Sequence, residues 1–188
     1  MRRAVLLGLV LAGAAAGCAP EPAPSPPSAA AAAPPQEATV DWVERTSAVP
    51  PRLVFEVKRI DITQDGWRAR VAISNDTDVS WAIGDPRAPS RVPFGVMLFA
   101  SGDLDELERR NRDRTLPGMR NARAVSPAPP AELAPDARWE GTIAAPGALA
   151  AGSWLRVTFG PLIAREKPSE DIPQQLLWIS DNAHQLRG

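Results

Sequence analysis

The chain contains one cysteine and one histidine, Cys18 and His184, and these two residues limit the chemistry that it can perform. A hydrolytic triad needs a histidine or a substitute base beside its nucleophile. This histidine lies near the end of the sequence, where a solvated tail position is typical. Zinc and copper sites need several nitrogen or sulfur ligands. We therefore expect no catalytic triad, no metal site and no cofactor, and we expect the protein not to be an enzyme.

Oxygen ligands are the remaining way to hold a cation, and two short stretches supply them: "SNDTD", residues 74–78, and "SGDLDE", residues 101–106. Asn and Asp favour turns because their side chains bond the adjacent backbone, and acids at a helix start offset the helix dipole. We favour these structural roles and keep calcium binding by the first stretch as the alternative. The sequence gives no reason to pair two carboxylates in a cleft, as a carboxylate-based hydrolase requires.

Charge is segregated between residues 103 and 123. Acids dominate residues 103–108, whereas residues 109–123 hold six arginines against one aspartate. The arginines form a candidate partner-binding patch for anionic lipid headgroups, a cell-wall polymer or an acidic protein. The patch consists of Arg109, Arg110, Arg112, Arg114, Arg120 and Arg123. Alternatively, acids and arginines four residues apart pair along a helix, and the patch is then a solvated face, which we favour.

The first 18 residues have the order of an export signal. Arg2 and Arg3 precede an apolar run over residues 4–11, which is too short for a membrane-spanning helix of about 20 residues. Small residues follow, and "AAGC", residues 15–18, resembles the lipobox of bacterial lipoproteins. The resemblance implies that the chain is cut before Cys18 and that acyl chains on this residue anchor the protein to a bacterial membrane. The protein itself is then extracytoplasmic. A secreted protein without lipid is the alternative.

Composition divides the chain into a signal peptide over residues 1–17, a lipidated cysteine with a disordered linker over 18–40, and a folded domain over 41–188. Residues 19–38 contain only Pro, Ala, Ser, Glu and Gln, which predicts an extended spacer of roughly 60 Å at full extension. The whole chain has 21 basic and 22 acidic side chains, and this balance does not favour a nucleic-acid partner.

Alternation with a period of two predicts seven short strands. In "WRARVAIS", residues 67–74, every second side chain is apolar, which indicates a half-buried strand. Asp65-Gly66 predicts a hairpin turn with a positive backbone angle. A one-residue slip of the apolar phase near Lys58 predicts a bulge. The other six predicted strands cover residues 52–62, 79–83, 94–100, 137–144, 153–159 and 175–180.

One helix is predicted over "SGDLDELERRNRD", residues 101–113, with Asp103 as the N-cap and Glu106 at the capping-box spacing. Residues 113–135 are predicted to be irregular. Two tryptophan-bearing strands around an "NDT" turn, followed by "LAPDARWEGTI" and "GALAAGSWLRVTFG", resemble bacterial lipoproteins with an immunoglobulin-like or fibronectin-type domain. The resemblance implies an all-β, antiparallel immunoglobulin-like sandwich of about seven strands with one short inserted helix.

The expected function is that of a non-catalytic binding or accessory module in a bacterial cell envelope. We expect a lipid-anchored monomer that meets another envelope protein or a polymer through its loops or an exposed strand. The fold itself implies no particular activity. The first alternative is a peptidase inhibitor that inserts the proline-stiffened loop "GDPRAPSRVP", residues 84–93. A carboxylate-based hydrolase is a less favoured alternative.

Overall fold

Two antiparallel β-sheets form the body of the computed structural model, which describes residues 31–84, 92–169 and 171–188. One short helix completes the fold, which is the all-β sandwich that the sequence predicts. Seven strands have five residues or more, and five have two or three. In chain order the elements are β1 (Gln36–Arg45), β2 (Arg52–Thr63), β3 (Gly66–Asp76), β4 (Trp81–Ile83), β5 (Phe94–Phe99), α1 (Leu104–Arg112), β6 (Arg120–Asn121), β7 (Ala124–Ser126), β8 (Glu132–Leu133), β9 (Arg138–Pro146), β10 (Trp154–Ala164), β11 (Gln175–Ile179) and β12 (His184–Gln185).

The first sheet has the strand order β1-β2-β3-β9-β7. In the second sheet β10 is central, with β5 and β4 along one side and β12 and β11 along the other. β6 extends this sheet beyond β5, and β8 extends it beyond β4. Among the described residues β1 pairs only with β2, and β11 pairs only with β10. Each of these two strands is therefore an edge of its sheet.

The core lies between the two sheets and is built from the alternating side chains of their strands. Trp67, Ala69, Val71 and Ile73 of β3 are all buried, as the period-two pattern predicts. The rings of Phe55 and Trp178 stack with centroids 5.0 Å apart, and other aromatic side chains join them across the sandwich. Aromatic pairs of this kind add to the free energy that burial itself supplies.

The seven predicted strands all form, and so does the predicted bulge, because the register of β2 against β3 shifts between Val57 and Arg59. The predicted turn geometry is wrong. β2 and β3 do form a hairpin, but neither Asp65 nor Gly66 has a positive φ. Gly66 is required for another reason: a Cβ there would lie 2.4 Å from the carbonyl oxygen of Ala145 on β9.

The fold begins earlier than the composition predicts. Residues 31–40, which were assigned to the disordered linker, are part of the sandwich, because Ala32 bridges to Ala150 and β1 starts at Gln36. Ala33 is buried and donates its N–H to the Leu149 oxygen at 2.7 Å. The physical reason is that an alanine is small enough to pack into the core and can still form backbone hydrogen bonds. Composition alone does not distinguish such a segment from a spacer.

Helix α1 follows β5 and has the predicted N-cap, since the Asp103 carboxylate accepts the N–H of Asp105 at 3.0 Å. Glu106 does not complete a capping box. Its carboxylate instead accepts the Ser101 hydroxyl at 2.5 Å and pairs with Arg110 at 2.7 Å. Residues 113–135, predicted to be irregular, contain the short strands β6, β7 and β8. In the part of the chain that the structure describes, no helix has the length and apolar character needed to cross a membrane.

Candidate functional site

A buried arginine organises the outer face of the second sheet. Arg156 lies on β10, where its neighbours along the strand point into the core, so its own side chain points to the face that α1 covers. It is 0% exposed, and its guanidinium lies 5.4 Å from the ring centroid of Phe99. The guanidinium donates to four backbone oxygens, two just before α1 and two just after β11. The acceptors are Gly102 at 2.9 Å, Asp103 at 3.1 Å, Ser180 at 2.8 Å and Asp181.

Burial and nearby charges have opposite effects on the pKa of Arg156. Burial lowers the pKa of its guanidinium, while the nearby carboxylates of Asp181 and Glu44 act to raise it. The same burial raises the pKa of the Asp181 carboxyl, and the Glu44 charge raises it further. A carboxyl with a raised pKa carries a proton more readily near neutral pH than an ordinary aspartate does.

Glu44, a residue of the first sheet, holds the segment after β11 by hydrogen bonds. It is a buried residue on β1, and one of its oxygens accepts the Trp178 indole N–H at 2.8 Å and the Asp181 N–H at 2.9 Å. Its other oxygen accepts the backbone and side-chain N–H groups of Asn182 at 2.9 and 2.8 Å. A carboxylate that accepts four such bonds uses all of its lone-pair sites within the protein. Glu44 therefore joins the β1 edge of the first sheet to the β11 edge of the second.

A groove of about 320 Å³ runs between α1 and the edge strand β11. Leu104 and Leu107 line it from the helix, and Leu177 and Ile179 line it from the strand. Leu107 is buried against Met97 and Phe99 of β5, whereas Leu104 and Leu177 are 40% and 44% exposed. The groove thus combines an apolar lining with an edge strand whose outer side pairs with no other described strand.

The charged side chains that line this groove are acidic. Glu108 and Asn111 stand on the same helix face as Leu104 and Leu107, because residues three, four and seven apart share a face. Asp181 lies at the end of β11. The lining, within the described residues, contains these two acids and no arginine or lysine. A ligand with apolar side chains and positive charge is the complement of this surface.

The six arginines of the predicted patch occupy different settings. Arg110 pairs with Glu106, as predicted, but no ion pair forms within the described residues for Asp105 with Arg109 or for Glu108 with Arg112. Five of the six are exposed and lack an acidic partner in the described part of the chain. Two of these five line a common cleft. The five are Arg109, Arg112, Arg114, Arg120 and Arg123.

The cleft that holds Arg120 and Arg123 has a volume of about 380 Å³. It opens at the side of the sandwich where the chain crosses from the second sheet to the first, and Trp67, Asn121 and Gly147 also line it. Arg120 donates one Nη1 bond to the Ala148 oxygen at 3.0 Å, which holds its side chain along the cleft. No acid lines the cleft in the described residues.

The stretch considered for calcium forms a closed turn instead. Asn75 is buried, and its side-chain amide donates to the Val79 and Leu133 oxygens at 2.9 and 3.0 Å. Its side-chain oxygen accepts the backbone N–H of Thr77 at 3.0 Å and the Thr77 hydroxyl at 2.6 Å. Both ends of the amide are thus used within the protein. No group of three potential metal-binding side chains occurs in the regions that the structure describes.

Two other predicted features are placed differently or not described. His184, expected in a solvated tail, is partly buried on β12, and burial lowers its imidazole pKa. Cys18 and most of the loop 84–93 lie outside the described residues.

Comparisons with known proteins give no match: no protein-family model, no curated protein and no solved structure is similar to this chain. The features that bear on function are therefore the order of residues 1–18, the apolar groove and the arginine cleft.

Sequence reasoning missed Arg156 and Glu44. In "SWLRVTF" an arginine between apolar residues is typical of the solvent-facing side of a strand, and only the packing of α1 over that side buries it. Glu44 belongs to β1, which the composition did not predict. An arginine at an alternate position of a strand that is otherwise strongly apolar is the one local signal that could have drawn attention to the site.

We predict that replacing Arg156 by methionine lowers the free energy of unfolding by about 3 kcal/mol, because four buried or partly buried backbone oxygens lose their donor. The measurement is urea denaturation followed by tryptophan fluorescence. The control is Arg112→Met, an exposed arginine without an ion pair in the described chain, for which we expect a change within about 0.5 kcal/mol. Equal stability of the Arg156→Met protein and the wild type would contradict the structural role assigned to Arg156.

Proposed function

We propose that this protein is an extracytoplasmic lipoprotein, anchored to a bacterial membrane at Cys18, that binds an extended segment of another envelope protein without catalysing a reaction. The groove between α1 and β11 is the observation that carries the binding part of the proposal. The anchoring part is supported by the order of residues 1–18, in which a basic start, an apolar run and small residues precede the cysteine.

The groove supports binding because its apolar side chains are contiguous. A single exposed leucine on a protein surface needs no explanation, but neighbouring exposed apolar residues around a concavity are typical of interaction sites. Leu104 and Leu177 are the exposed members, and the buried Leu107 and the partly buried Ile179 also line the groove. Solvent exposure of these side chains costs free energy, which a bound partner recovers by covering them.

The edge strand β11 defines the form of the partner. An extended peptide can add to an exposed sheet edge through backbone hydrogen bonds, and pockets for alternate side chains then supply specificity. Here the pocket beside the edge is apolar and carries the acids Glu108 and Asp181. The occupant that fits is therefore an extended segment in which apolar residues alternate with lysine or arginine.

A carboxylate-based hydrolase is the second candidate, because Glu108 and Asp181 line the same groove and the pKa of Asp181 is raised. Binding explains the groove better. Most of its lining is apolar, and the backbone N–H of Asp181 is already held by the structural carboxylate of Glu44.

The anchor is tested by the intact mass of the protein purified from its native membrane. We expect a chain that begins at Cys18 and carries the added mass of acyl chains. A Cys18→Ser variant lacks the acceptor thiol and should leave the membrane fraction. An unmodified chain in the culture medium would contradict the anchoring proposal and leave the groove proposal to be tested separately.

The groove is tested by placing a photoreactive phenylalanine analogue at Leu177 of the full chain in cells of the source organism. We expect crosslinking to one defined segment of an envelope protein, with alternating apolar and basic residues, identified by mass spectrometry of the linked peptide. The matched control is the same analogue at Val49, an apolar residue that is 68% exposed and lies outside the groove. Identical products at both positions, or no product at Leu177, would contradict the proposal.

A further inference from the structure

We infer that the cleft formed by Arg120 and Arg123 binds the phosphate of anionic phospholipid headgroups in the membrane that holds the anchor. This inference rests on the proposed anchoring at Cys18. It concerns a surface distinct from the apolar groove, with a ligand of the opposite charge.

The two arginines are held by a rigid backbone. They flank Ala122, which is 1% exposed and donates its N–H to the Phe94 oxygen at 2.9 Å. Arg123 then donates its backbone N–H to the Ala144 oxygen at 2.7 Å, on the other sheet. The segment therefore bridges both sheets between β6 and β7, and its two arginine side chains are fixed at their bases. Fixed donors lose less conformational entropy on binding than donors on a flexible loop.

The charge of the cleft is uncompensated within the described residues. Neither arginine has an acidic partner there, whereas Arg59, Arg70 and Arg138 of the first sheet all pair with acids. Arg120 uses one nitrogen on the Ala148 oxygen, which leaves its other N–H groups as donors. Guanidinium groups recognise phosphate through paired hydrogen bonds as well as through charge. A cleft lined by two arginines and, within the described residues, by no acid has the charge that favours an anion.

The cleft lies beside the residues that contact the start of the described chain, which favours lipid headgroups as the source of the anion. Residues 145–147 line the cleft, and residues 149–151 hold the start of the described chain. Ala33 donates to the Leu149 oxygen at 2.7 Å, and Ala151 donates to the Ala31 oxygen at 2.8 Å. Twelve residues separate Cys18 from Ala31, so the chain between these two residues spans at most about 47 Å. The proposed anchor thus limits the distance between this end of the sandwich and the lipid headgroups.

A domain that is tethered to a membrane needs only a weak contact with the lipid headgroups to be oriented by it. The mature chain carries 19 basic and 22 acidic side chains once Arg2 and Arg3 are removed, so its net charge of −3 alone would repel an anionic surface. Tethering raises the local concentration of headgroups, and each arginine at such a surface increases partitioning about fivefold. Two arginines together supply about 25-fold. That preference would orient the tethered domain, with the cleft toward the bilayer.

The test uses the mature chain without acyl groups, made with Cys18→Ala behind an ordinary secretory signal, so that its outcome does not depend on lipidation. Partitioning is measured by co-sedimentation with vesicles of phosphatidylcholine alone or mixed with phosphatidylglycerol. We expect binding to the mixed vesicles only, and about 25-fold weaker binding for the double variant Arg120→Gln, Arg123→Gln. The matched control is Arg109→Gln, Arg112→Gln, which removes the same charge from α1 and should retain most of the binding.

Three results would overturn the inference. The first is unchanged partitioning of the Arg120→Gln, Arg123→Gln chain, and the second is an equal loss in the control, which would indicate a response to net charge alone. The third is displacement from the vesicles by inorganic phosphate at an equal phosphate concentration, which would indicate a free-phosphate site. Circular dichroism of each variant shows that the fold is intact. If the acyl-free chain binds as expected but the native protein proves not to be lipidated, the anchor fails while the cleft stands as a peripheral contact.

Discussion

The hydrogen bonds of the buried Arg156 guanidinium are the interaction on which the groove between α1 and β11 depends. Its four bonds hold the start of α1 and the segment after β11 against the same face of the second sheet. Glu44 holds that segment from the first sheet. The Nε of Arg156 has no hydrogen-bond partner among the described residues, so these four bonds supply the hydrogen bonding that offsets the cost of taking the cation out of water. The groove between α1 and β11 is the space that this arrangement leaves open.

The two candidate surfaces differ in charge and in origin. The groove is apolar and acidic, and it is bounded by an edge strand that can accept another strand. The cleft is basic, and it lies beside the segment around Ala150, to which the start of the described chain is bridged. In the proposed arrangement the basic cleft faces an anionic membrane, and the acidic apolar groove remains available to a partner.

The sequence predicted the fold well and the surfaces poorly, for physical reasons. Alternation in stretches such as residues 67–74 reports directly which side chains face the core, so six of the seven longest strands and the short β4 could be predicted. β1 was not predicted, because its first residues belong to an alanine-rich and proline-rich run whose composition is that of a spacer. Arg156 reads as a solvent-facing residue, since its burial depends on a helix that packs over it. The groove has no local signature, because α1 and β11 are separated by more than sixty residues.

We propose that the groove beside β11 recognises an extended apolar and basic segment. The most direct measurement is selection of random peptides on the immobilised mature chain, with a Leu177→Asp chain used to remove peptides that bind elsewhere. We expect one enriched motif in which apolar residues alternate with lysine or arginine, and we expect that the Leu177→Asp chain does not retain it. A selection that yields no shared motif, an acidic motif, or a motif retained equally by the Leu177→Asp chain would contradict the claim.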